Sequence, residues 1–134
     1  MKFFNQSAIV NYVPNTGTVC ISFGDTGEID EYWETLRIAE GIAQMHRSRA
    51  YLIEKKAFTN ITLSEYGSFL MQWISRLDSQ WKGPQSVALR VPPPEYAALQ
   101  QYAREYGISF YLNVSYEVCS SYEEGVHFLN SHQW

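Results

Sequence analysis

The chain has 134 residues, 46% of them apolar and 16% aromatic, which suits one domain with its own core. Its formal charge of −4 and the lack of a basic patch exclude a nucleic-acid footprint. No run of about 18 apolar residues occurs, which excludes an integral membrane helix.

The opening stretch MKFFNQSAIVNYVP lacks the long apolar segment and small-residue cleavage site of a signal peptide, so a cytoplasmic location is expected. In that setting Cys20 and Cys119, each in or beside a strand-like run, are expected to be buried thiols rather than a bridge. Two short basic clusters, His46-Arg47-Ser48-Arg49 and Lys55-Lys56, read as the ends of elements.

Residues 7–14 and 18–23 are β-rich, and Asn15-Thr16-Gly17 between them is a turn signal, so a β-hairpin is expected. In the second run Val19, Ile21 and Phe23 point one way, and Thr18, Cys20 and Ser22 the other. A helix then opens in residues 25–28. Acidic Glu28, Asp30, Glu31 and Glu34 crowd its start and Arg47 and Arg49 its end, the order the helix macrodipole favours. Ile29, Tyr32, Trp33, Leu36, Ala39 and Ala43 form one apolar stripe. Ile38, Ile42 and Met45 form a second ridge, which a helix packed on one side of a sheet does not need; it is expected to be a dimer seam or a partner-docking surface.

Residues 50–57 begin as an apolar strand. Thr62-Leu63-Ser64-Glu65 fits the capping box and opens a helix with the stripe Tyr66, Leu70, Trp73, Ile74, Leu77 and Trp81, ended by Gly83-Pro84. Residues 87–91 form a short apolar run suited to a strand buried on both faces. Pro92-Pro93-Pro94 makes the switch to the next helix abrupt. Proline has no N–H and a fixed φ, which suits a first helical turn, and it holds the residue before it extended. In that helix Tyr96, Leu99, Tyr102, Ala103 and Tyr106 face inward, and Gly107 is the expected left-handed C-terminal residue. Residues 108–114 read as the next strand. Ser120-Ser121-Tyr122-Glu123-Glu124 offers two overlapping capping boxes for a last helix with Tyr122, Val126 and Leu129 on one face.

The order is β-β-α-β-α-β-α-β-α. It implies a single α/β domain over residues 1–134: a mixed, mostly parallel five-stranded sheet with four helices and one antiparallel edge strand.

This order, the domain size and the strand-to-helix joint Val87-Ala88-Leu89-Arg90-Val91-Pro92-Pro93-Pro94 resemble the STAS domain (sulfate transporter and anti-sigma-factor antagonist). More closely, the chain resembles small stand-alone proteins with a SpoIIAA-like fold. The resemblance implies a non-enzymatic regulatory module that binds a protein partner, in some members switched by phosphorylation of a Ser or Thr after the third strand. The matching stretch here is residues 58–67, with Ser64 the nearest counterpart and Thr59 and Thr62 close by; no Asp precedes Ser64, and Glu65-Tyr66 separates it from Gly67.

No nucleophile motif, phosphate loop or metal-ligand spacing appears, so no catalytic residue, cofactor or metal is expected. The acidic residues near 25–31 have an ordinary role at a helix start. The alternative to a protein partner or homodimer is a small apolar ligand, with Trp73, Trp81, Tyr96 and Tyr102 lining a cleft between sheet and helices.

Overall fold

The computed structural model describes residues 2–4, 8–80, 83–107 and 113–131. Its strands β1 (Lys2–Phe4), β2 (Ala8–Val13), β3 (Thr18–Phe23), β4 (Ala50–Lys55), β5 (Gln85–Arg90) and β6 (Val114–Cys119) lie side by side in chain order. β1–β2 and β2–β3 are antiparallel, and β3 through β6 are parallel. The helices are α1 (Ile29–His46), α2 (Leu63–Gln80), α3 (Pro93–Tyr106) and α4 (Tyr122–Ser131). From β2 onward the order is the expected one, and the fold is α/β. The short β1 adds a pairing outside β2.

Each helix starts where its sequence directs. Glu28 caps α1, and its backbone N–H donates to Oε1 of Glu31 at 3.1 Å. The box at Thr62 and Glu65 closes with both bonds at 3.0 Å. Pro92 is the extended N-cap of α3, with proline in the first turn behind it. Ser121 Oγ accepts the N–H of Glu124 at 3.2 Å.

A sheet in chain order with crossovers of one hand carries its crossover helices on one face. The main core lies there. Val19, Ile21 and Phe23 of β3, Tyr51 and Ile53 of β4, and Val87 and Leu89 of β5 pack beneath α1, α2 and α3. The alternate side chains face α4, where Leu52, Ala88, Cys119 and Leu129 form a second, smaller cluster. The approach of α4 is close: a Cβ on Gly125 would stand 2.9 Å from Cδ1 of Leu52. Both cysteines are free thiols, Cys119 buried and Cys20 half-buried. No helix among the described residues is long and apolar enough to cross a membrane.

Four expectations need correction. Ile42 is buried in the core of the single chain at 5% exposure, and Ile38 packs against that core; only Met45 of the expected seam is exposed, at 63%. The sheet continues past β3 to β2, and α1 touches both strands, so it has sheet beneath two flanks and buries a wider arc than one stripe. Gly107 is extended (φ −73°, ψ 153°) rather than left-handed, and Tyr106 is exposed at the end of α3. The last strand is 114–119, and of the run expected as a strand, residues 108–112 lie outside the described residues. As the edge strand β6 interleaves polar Ser115 and Glu117 with apolar positions, which hides it from a search for continuous apolar runs.

Candidate functional site

Parallel strands bring the loops after their C-terminal ends to one rim. Here β3 feeds loop 24–28 and α1, and β4 feeds loop 56–62 and α2. The two loops meet over Lys55, the last residue of β4, which is 1% exposed. Its ammonium donates to Gly24 O at 2.8 Å, to the Tyr32 hydroxyl at 3.0 Å and to Asn60 Oδ1 at 3.0 Å. The Asn60 amide in turn donates to Gly27 O and to the Tyr32 hydroxyl, each at 2.9 Å. Three donors on the ammonium thus meet three neutral acceptors, and none of these is a carboxylate. The Phe58 ring lies 5.2 Å from Nζ and adds a cation–π contact. Desolvation lowers the Lys55 pKa to about 8, and the charge of Asp25 opposes this. Lys55 and Asn60 together therefore tie the Gly24 and Gly27 carbonyls of one loop to the other loop.

Below that rim an open groove of about 430 Å³ runs between α1 and α2. Ile29 and Trp33 form one wall, Ser64, Ser68 and Gln72 the other, and Tyr102 of α3 reaches its edge. The walls are held together beneath the surface. Glu40 of α1, 8% exposed, accepts the indole N–H of Trp73 at 3.2 Å and a guanidinium N–H of Arg76 at 2.7 Å. Arg76 also lies over the Trp33 ring at 5.3 Å. The margins are acidic. Glu65 lines the groove, and Asp30 and Glu34, each one residue beyond a lining side chain, are exposed.

The expected phospho-switch residues all sit on this rim. Thr59, Thr62 and Ser64 are exposed, and Ser64 lines the groove in the first turn of α2. Thr62 Oγ1 is engaged as the cap, and Thr59 Oγ1 donates to Asp25 O at 3.4 Å.

Among the described residues the expected ligand cleft is not assembled. Trp73 is fully buried, edge-on to Tyr51 and bonded to Glu40, so it belongs to the core. Tyr96 is half-buried on α3 and its hydroxyl accepts from Gln100 at 3.2 Å; of the three described residues Tyr102 alone lines the groove, and Trp81 lies outside the described residues.

The Lys55 network was not legible as a site. Its sequence signal is a lysine ending an apolar strand, with an amide five residues on, and that pattern also fits an ordinary solvated strand end. Among the described residues no group of three His, Cys, Asp or Glu is placed to hold a metal. Compared with family models, curated proteins and solved structures, the chain matches none.

Proposed function

We propose that the chain is a non-enzymatic, STAS-like protein-interaction module that docks a basic, amphipathic segment of a partner in the groove between α1 and α2. The observation that carries this reading is the meeting of apolar Ile29, Trp33 and Tyr102 with exposed Ser64 and Glu65 in one open groove with acidic margins. Apolar anchors in a groove supply affinity, and complementary charge on the margins supplies orientation and rate. Ser64 is the regulatory position of this reading. A phosphate there adds negative charge beside Glu65 and strengthens the hold on a basic partner.

The test is a titration of Trp fluorescence with two helical peptides of equal apolar content, one bearing lysines and the other glutamates. Saturable, salt-sensitive binding of the lysine peptide, weakened by Ser68→Arg and Gln72→Arg, supports the reading. Equal behaviour of the two peptides, or binding untouched by both substitutions, overturns it.

A further inference from the structure

At the opposite end of the parallel strands, where β3 and β4 begin, lies a cavity of about 290 Å³, close to the lower end of small-molecule sites. We propose that it is a binding site for a phosphate group. Its wall is the α1–β4 connection, and Arg47, Ser48 and Arg49 line it together with His46 and the hydroxyl-bearing Thr16 and Thr18. Among the described residues none that lines it is a carboxylate. Two of the ten Lys and Arg in an acidic chain line this one concavity. Among the described residues the two ion pairs are Arg76–Glu40 and Arg90–Glu54, so neither Arg47 nor Arg49 is committed to one there.

The backbone gives an independent sign. Arg47 has φ 55° and ψ 35° and is, among the described residues, the sole non-glycine with positive φ. It closes α1 in the manner of a Schellman turn, its N–H donating to Gln44 O at 3.2 Å and that of Ser48 to Ala43 O at 2.8 Å. Glycine is the residue that fits this position without strain. A basic residue near a helix C-terminus also suits the macrodipole, but the dipole does not require Arg in a left-handed conformation. Arg47 is exposed and lines the cavity, and local strain held at a concave site is a mark of binding residues. The floor is preset. Ser48 Oγ donates to Gly17 O at 2.5 Å and so locks the β2–β3 turn against the α1–β4 connection.

Guanidinium forks bind phosphate oxygens in pairs, and threonine hydroxyls and an imidazole add single bonds. The phosphate belongs either to the free ion or to an organic monoester, and the volume leaves room for a small organic part.

The experiment follows amide chemical shifts and thermal stability of the full chain during titration with inorganic phosphate, glycerol 3-phosphate and, as a control, chloride. The expected result is saturable shifts centred on Arg47, Ser48 and Thr16 with either phosphate at millimolar concentration and none with chloride. Tighter binding of the monoester assigns the site to an organic ligand, and equal binding assigns it to the free ion; each upholds the phosphate chemistry. Arg47→Gly separates function from fold: it relieves the left-handed strain, so the melting temperature without ligand is unchanged or higher, while phosphate affinity falls at least tenfold. Arg49→Ala weakens binding likewise. No saturable shift in the unaltered protein, or binding that both variants retain in full, overturns the proposal.

Discussion

Tyr102 of α3 lays its ring where a Cβ on Gly67 of α2 would stand: that carbon would lie 2.7 Å from Cδ1 and 3.0 Å from Cε1. The missing side chain lets α3 close on α2 and sets Tyr102 at the edge of the groove. Two effects oppose each other in Gly67→Ala. Helix propensity favours alanine by about 1 kcal/mol, whereas overpacking costs about 1–3 kcal/mol. Gly67→Ala is expected to destabilise the protein by about 1 kcal/mol. In a Tyr102→Ala background the same change is expected to stabilise it by a similar amount. Urea unfolding of the four proteins in a double-mutant cycle measures the reversal, and two effects of equal sign would show that the ring moves aside freely.

Glu40 accepts from two groups of unequal worth. The Trp73 indole is fully buried, while the Arg76 side chain is 36% exposed and its pairing is screened. Glu40→Ala leaves the indole N–H without its acceptor and is expected to cost about 1–3 kcal/mol. Glu40→Gln keeps an acceptor oxygen and is expected to cost less than about 1 kcal/mol. Chemical unfolding of both variants checks the order; equal costs would mean that charge, not the indole bond, carries the contact.

Ile42 is core and Met45 is surface, although both lie on one ridge of α1. Ile42→Glu buries a carboxylate with no partner designed for it and is expected to destabilise the chain by about 3 kcal/mol or more. Met45→Glu is expected to stay within about 0.5 kcal/mol of the parent. Sedimentation of Met45→Glu beside the unfolding curves completes the measurement. A folded Ile42→Glu protein with altered mass in solution would restore the ridge as a seam.

These residues mark what the sequence could reveal. Caps and breakers act within a few residues, so Thr62-Glu65 and Pro92-Pro94 could be read directly, and with them the alternation of strand and helix. Burial on a helix flank depends on how far the sheet extends, which no local pattern encodes, and so the sequence alone does not show that Ile42 is core. Trp73 looked like a cleft residue because the sequence does not show that Glu40, 33 positions earlier, meets its indole. The groove is half legible: the sequence marks Ser64 and Tyr102 separately, and only the packing of α3 on α2 brings them together. The Arg47–Arg49 cluster was visible as charge, but its concavity and the left-handed backbone are products of the fold.

Lys55 makes stability depend on pH in an unusual direction. Lysine in the unfolded chain titrates near 10.5, and burial brings Lys55 in the fold down to about 8. Below about 8 both states carry the proton, and the full cost of burying the ammonium weighs on the fold. Above that, the folded state sheds its proton first while the unfolded state keeps it, so the unfolded state binds more protons and stability rises with pH. Two thiols pull the other way. Cys20, raised from 9.0 to about 11, and Cys119, raised to about 12, hold protons in the fold that the unfolded chain has lost, and this lowers stability above about 9. The expected profile rises between about pH 8 and 9 and then levels or falls. Lys55→Met removes the rising limb and keeps the fall. It also takes the ammonium from the Asn60 oxygen and leaves the carbonyl of Gly24 with the Tyr32 hydroxyl at 3.3 Å, so it is expected to loosen the rim loops and weaken peptide binding in the groove. Urea midpoints of both proteins across the alkaline range test the first expectation, and the lysine-peptide titration tests the second. Parallel pH profiles for the two proteins would show that Lys55 keeps the ordinary lysine pKa and that its burial carries no proton linkage.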